Sequence, residues 1–136
     1  MKPPFLGIEQ DLIVGKEEVF GSDTPDGSRG VVFEDDGETG YFYARDYTLN
    51  GDVVDALHIY NVKGVIDRDK PSKLKIIWTR DFSAAALLIN QIPQAVFNFA
   101  ERCGYAESPW PDPTPKSKWV HSSKLSETKE LFFPSK

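Results

Sequence analysis

The sequence holds a single cysteine, Cys103, and two histidines, His58 and His121. One cysteine excludes an internal disulfide and any thiolate metal cluster built from this chain alone, and it fits a reducing compartment. Long apolar runs are missing too: nothing approaches the roughly 18 consecutive apolar residues that cross a bilayer, so no membrane association is expected. The N-terminus MKPPFLGIEQD meets prolines and acids where a secretory signal needs an unbroken apolar stretch, which points to the cytoplasm. The G-x-S-x-G, Walker G-K-[ST], H-E-x-x-H and C-x-x-C signatures are all missing, so motifs assign no catalytic residue, no cofactor and no metal ligand. Bases are outnumbered, with 16 Lys and Arg against 21 Asp and Glu, and the net charge of −5 argues against nonspecific nucleic-acid binding, which Lys and Arg drive.

What is present is 136 residues of ordinary globular composition, 40% hydrophobic and 27% charged, which suits one domain over 1–136. Its core is expected over about 8–105, followed by a C-terminal arm over 106–136. Charge is uneven along the chain: residues 1–69 hold 15 acids and 6 bases, residues 70–136 hold 6 and 10, giving −9 and +4. Solvated faces of opposite sign explain this most simply, because hairpins interleave the two halves in space.

The pattern predicts an α+β fold, a hairpin-rich antiparallel sheet with one main α-helix on a face. Residues 30–46, GVVFEDDGETGYFYARD, set two β-rich arms around a polar turn. Before them, residues 1–7 read as a loose leader, 12–14 and 18–20 as edge strands, and 21–30 as a loop with a tight turn at Asp26 and Gly27. After them, strand-like runs over 41–48 and 53–62 flank Asn50 and Gly51, the pair that a two-residue primed hairpin turn demands. The second of these runs is apolar at the middle of both faces and reads as a central strand. Residues 74–79 resume the sheet with Leu74, Ile76 and Trp78 on one face, and 84–90 read as the next strand, although the alanines leave helix as an alternative.

The helix is expected over residues 93–103. Pro93 suits a first turn and Gly104 a C-terminal stop, while Val96, Phe99, Ala100 and Cys103 form one stripe at i, i+3, i+4 and i+7, with Asn98, Glu101 and Arg102 facing away. Cys103 is then core. Beyond Tyr105, prolines 109, 111, 113 and 115 block helix and central strand and suggest an extended Pro-rich arm anchored by Trp110 and Trp119, with a last short element within 122–133.

Glu34, Asp35, Asp36 and Glu38 put four carboxylates into five positions at the hairpin tip, joined along the sequence by Asp46, Asp52 and Asp55. Hard cations take such oxygen ligands, but the spacing is not that of an EF-hand loop, and acids with glycine at a turn serve solubility and turn geometry. His58, between Leu57 and Ile59, reads as a packed, hydrogen-bonded residue, and His121 stands in no motif.

The ordered blocks VVFEDDGETGYFYARD, DALHIYNV, KLKIIWTRD, LLIN and AVFNF resemble the bacterial family known as domain of unknown function 2251, from about residue 31 to 105. The resemblance implies a small bacterial protein and carries no catalytic residues with it. Two readings of function stand side by side. The first is a non-catalytic protein-binding domain, with an immunity protein that blocks a toxin as one form of it, meeting a basic protein partner through Glu34, Asp35, Asp36, Glu38, Asp46 and Asp52. The second is a small enzyme or metal-dependent module at the acidic hairpin, which requires those carboxylates to converge in a concave pocket with each other or with a histidine.

Overall fold

The computed structural model describes residues 3–134. Ten strands run in the order β1 (Phe5–Leu12), β2 (Glu18–Asp23), β3 (Arg29–Asp35), β4 (Thr39–Asp46), β5 (Asp52–Asn61), β6 (Ser72–Trp78), β7 (Ala84–Ile89), β8 (Ile92–Asn98), β9 (Cys103–Tyr105) and β10 (Val120–Ser122). The helical content is small: α1 (Lys129–Phe132) continues a 3-10 turn at Leu125–Thr128. The strands form two sheets, a four-stranded β2-β3-β4-β5 and a six-stranded β1-β6-β7-β8-β9-β10. All pairs are antiparallel except β9 with β10. The broad α+β expectation therefore holds with the balance far towards β, and the single expected sheet is two.

The sheets pack face to face because the strand alternation sends a full apolar set from each into one core. Phe33, Phe42, Ala44 and Leu57 from the smaller sheet meet Leu74, Ile76, Trp78, Leu87 and Phe97 from the larger one. Phe42 and Phe97 stack across the interface with centroids 4.9 Å apart, and Trp78 donates its indole N–H to Ser22 Oγ at 2.9 Å, so the buried indole has its partner. The outer face of the six-stranded sheet is covered as well, since Ile77, Ala84, Ala86 and Val96 pack under Leu125 and Phe132 of the C-terminal helical segment. β7 thus lies between two cores, Ala85 and Leu87 facing one and Ala84 and Ala86 the other, which makes AAALLI a strand despite its alanines.

The helix expected over 93–103 is not formed; the segment is β8, a turn and β9. Every residue of 95–99 is buried, Ala95 and Phe97 against the inter-sheet core and Val96 against the outer one. A strand buried on both faces is apolar at every position, and an i, i+3, i+4, i+7 stripe can be picked out of any such run. Asn98, expected to face away, is buried and holds the turn, accepting from Glu101 N at 3.1 Å. Pro93 sits beside a register shift at Leu87/Leu88, where a missing N–H costs little. Cys103 is buried as expected, and burial pushes its thiol pKa up.

Three further expectations are corrected. The two-residue turn lies not at Asn50 and Gly51 but at Asn90 and Gln91, with φ of 52° and 69°, between paired Ile89 and Ile92. Asn50 and Gly51 do have positive φ, 65° and 74°, but they close a longer connection that starts with a 3-10 turn at Tyr47–Leu49. β5 is an edge strand, not a central one; its outer edge receives Trp110, whose carbonyl accepts from His58 N at 2.7 Å. The leader is strand from Phe5 onward, and the part of it at Met1 and Lys2 lies outside the described residues. Of the two runs expected as edge strands, 18–20 lies in β2, whereas 12–14 keeps only Leu12 in β1 and turns at Ile13 and Val14; β1 and β2 each end their sheet.

After Tyr105 the chain is not one extended Pro-rich arm but contains a 3-10 turn, β10 and the C-terminal helical segment. The chain bonds to Ser122 O through Ala106 N and meets the edge of β5 at Trp110, and a 3-10 turn at Pro115–Ser117 leads to Trp119, which is buried edge-on against Phe97 and Phe99. β10 then pairs with β9 and sets His121 opposite Gly104.

Candidate functional site

The β3–β4 hairpin ends in the predicted carboxylates, and the structure divides them. Asp35 faces inward and is 1% exposed. It accepts from Gly15 N and Tyr60 Oη, both at 2.7 Å, and from Gly37 N at 2.8 Å. This clamp depends on a register shift beside Gly40, which turns Tyr60 to the inner face. It depends also on Gly40 itself, where a Cβ would come within 2.7 Å of the Tyr60 ring. Burial, then the hydrogen bond to Asp35 and its charge, raises the Tyr60 pKa well above its ordinary value. Asp35 is therefore a structural carboxylate, and its removal from the accessible set corrects the sequence reading.

Asp36 is exposed and organises the turn, accepting from Glu38 N and Thr39 N at 2.9 Å each, and these backbone donors hold its carboxyl below the usual range. Glu38 is exposed beside it, and Glu34 is half-buried on the outer face of the sheet. Glu17, Glu18, Glu34 and Asp36 line one depression with Val19 and Asp35, and among the described residues only Glu18 of its carboxylates has a basic partner, Lys16 at 3.2 Å. Asp46 and Asp52 pair with each other at the opposite end of the sheet, seven residues along β4 from Thr39, roughly 20 Å away. The hairpin-tip acids and these two are not brought together. Among the described residues no group of three or more His, Cys, Asp or Glu side chains is placed to hold a metal ion.

Beside Glu34 the outer face of the four-stranded sheet is aromatic. Phe42 and Ala44 point inward, so Tyr41 and Tyr43 point outward, stacked with centroids 5.8 Å apart. Tyr41 pairs across the strands with Glu34 on one side and His58 on the other, and its ring lies edge-on to His58 at 5.4 Å. Trp110 closes the row, 5.7 Å from His58 and 57% exposed. His58 is half-buried and bonded through Nε2 to Asn61 Oδ1 at 3.0 Å, as the packed reading expects. The sequence reading missed this row, although the alternation Tyr41, Phe42, Tyr43 carried the signal: with Phe42 inside, both tyrosines must be outside.

It missed a second pair outright. Asp55 of β5 and His121 of β10 meet in the interior with side chains 2% and 6% exposed, Nε2 lying 2.8 and 2.9 Å from the carboxylate oxygens. Burial raises the Asp55 pKa, and the His121 hydrogen bond opposes the shift. Gly104 roofs the pair, since a Cβ there would stand 2.5 Å from Asp55 Oδ2 and 3.1 Å from His121 Cδ2. A general base must reach a substrate, and this enclosed pair ties the C-terminal segment to the four-stranded sheet instead.

Comparison with known proteins fits the resemblance seen in the sequence. A Haemophilus influenzae protein described as "Uncharacterized protein" is 42% identical over 117 residues, covering 85% of this chain and 73% of its own length. No solved structure matches the chain with significance. The sequence model of domain of unknown function 2251, described as an uncharacterized protein conserved in bacteria, matches residues 12–133, and the chain belongs to that family.

Proposed function

We propose that the chain is a non-catalytic protein-binding domain whose contact surface is the acidic end of the four-stranded sheet and whose partner is a basic protein. The observation that carries this reading is the set of carboxylates at Glu17, Glu18, Glu34 and Asp36 around one depression, with exposed Glu38 beside Asp36, and among the described residues the one basic partner in the set is Lys16, on Glu18. Unpaired charge of one sign steers a partner of the other sign and raises its association rate more than its affinity. Of the six residues expected to make the contact, Glu34, Asp36 and Glu38 belong to this surface, Asp35 supports it from beneath, and Asp46 and Asp52 belong to the far end. An immunity protein that masks a basic toxin is one form this function takes. The enzyme reading asks for carboxylates converging on a reacting atom, whereas Asp35 is turned inward onto Tyr60 and Asp36 is spent on the turn.

The test is to cross-link the chain in its native cell, identify the partner, and measure binding kinetics at two ionic strengths for wild type and for Glu34→Gln/Asp36→Asn/Glu38→Gln. The reading expects a slower on-rate and a shallower salt dependence in the variant. Unchanged on-rates and salt slopes would contradict it.

A further inference from the structure

The aromatic row beside the acidic depression names the partner's chemistry more closely. We propose that Tyr41, Tyr43 and Trp110 seat an arginine side chain of the basic partner, with Glu34 receiving its guanidinium; this rests on the protein-binding reading above. Aromatic faces carry negative potential and attract cations, and tyrosine and tryptophan recur at the energetic centres of protein interfaces. Here the faces adjoin a carboxylate: Glu34 is the direct cross-strand neighbour of Tyr41. The Tyr43 hydroxyl also feels it, its pKa being raised by burial first and by the Glu34 charge second.

The sheet's own two cations do not serve the row: Arg29, at the start of β3, lies over the Phe99 ring with its guanidinium 5.6 Å from the centroid. Arg45 lies two residues beyond Tyr43, but its Nε donates to Gly51 O at 2.8 Å and its guanidinium stacks over Tyr47 at 5.4 Å, at the far end of the face. Arginine fits better than lysine because a planar guanidinium stacks on a ring and forks onto a carboxylate at once, whereas an ammonium is a compact, strongly hydrated charge. Protein fits better than RNA, although exposed aromatics on a sheet also stack bases, because Glu34, Asp36 and Glu38 repel phosphates.

Trp110 gives the site its own reporter, since Trp78 and Trp119 are buried. The full chain is titrated with nona-arginine, nona-lysine and poly-uridine RNA, following tryptophan emission and, for variants, calorimetry. The expected result is an emission change with nona-arginine, binding at least about fivefold tighter than nona-lysine, and about tenfold weakening by Glu34→Gln or Trp110→Ala. Trp110 lies outside the strands, so its substitution leaves the sheets intact even if Tyr41→Ala or Tyr43→Ala unfolds them. Equal affinity for the two peptides, lost on Asp36→Asn/Glu38→Gln and kept in Trp110→Ala, overturns the arginine seat and supports the acidic surface alone. Binding of neither peptide, or preference for the RNA, overturns both.

Discussion

His121 Nε2 lies between the two carboxylate oxygens of Asp55, 2.8 and 2.9 Å away, across a separation of 66 residues in the chain. The contact joins β10 to β5 and so holds the two sheets together where the C-terminal segment returns. His121 Nδ1 is buried and finds no partner among the described residues, so all of the pairing runs through one nitrogen.

Breaking this pair should be expensive. His121→Ala leaves a buried carboxylate unpaired and is expected to cost about 3–5 kcal/mol in urea unfolding. A loss below about 1 kcal/mol would mean that water reaches Asp55.

Gly104→Ala tests the same contact from the other side. A methyl 2.5 Å from Asp55 Oδ2 forces the pair apart, and about 1–3 kcal/mol of destabilisation is expected from overpacking. Equilibrium denaturation of the variant measures it, and wild-type stability would contradict the packing.

Acid should act through two opposite signs. Asp26 is held down to about 2 by the Ser28 hydroxyl first, then by the Ser28 N–H and the Thr24 hydroxyl. Its stabilisation is present above the unfolded carboxyl pKa of about 3.9 and is lost as pH falls towards 2. Asp36 and Asp81 act in the same direction. Asp55 is raised, so its contribution is greatest below the unfolded pKa and declines as pH rises through the folded value. Urea midpoints between pH 2 and 6 should therefore fall less steeply on acidification for Asp26→Asn than for wild type. For Asp55→Asn, which lacks the opposing contribution, they should fall more steeply.

Tyr60→Phe removes one of three donors to the buried Asp35 carboxylate and is expected to cost about 1.5–3 kcal/mol, as hydrogen bonds to charged groups do. Thermal unfolding reads the loss directly. No change would mean that Gly15 N and Gly37 N suffice.

Local signals in the sequence carried most of the strands but not their assembly. The β-branched and aromatic enrichment of Val31, Val32 and Phe33 and of the Tyr41–Tyr43 run, and the Leu74, Ile76 and Trp78 spacing on one face of β6, marked these segments as strands. Residues 95–99 do not alternate, since both of their faces are buried, and helix and strand then look alike in one dimension. Asn90 and Gln91 make the tight turn without glycine, so composition pointed to Asn50 and Gly51 instead. Long-range partners left no trace: neither Asp55 with His121 nor Asp35 with Tyr60 has a spacing that a sequence displays. Gly104 and Gly40 were visible as glycines, but the side chains that need their space were not.

The central claim is that the outer face of the four-stranded sheet, from Glu34 and Asp36 to Trp110, is where a basic partner binds. Amide hydrogen exchange of the chain with and without its captured partner maps the contact directly. The account predicts added protection in the β3–β4 hairpin and around residues 58 and 110. Protection confined instead to the apolar groove where Ile77, Ala86, Val96 and Phe132 meet on the outer face of the six-stranded sheet, with none in the β3–β4 hairpin, would contradict it.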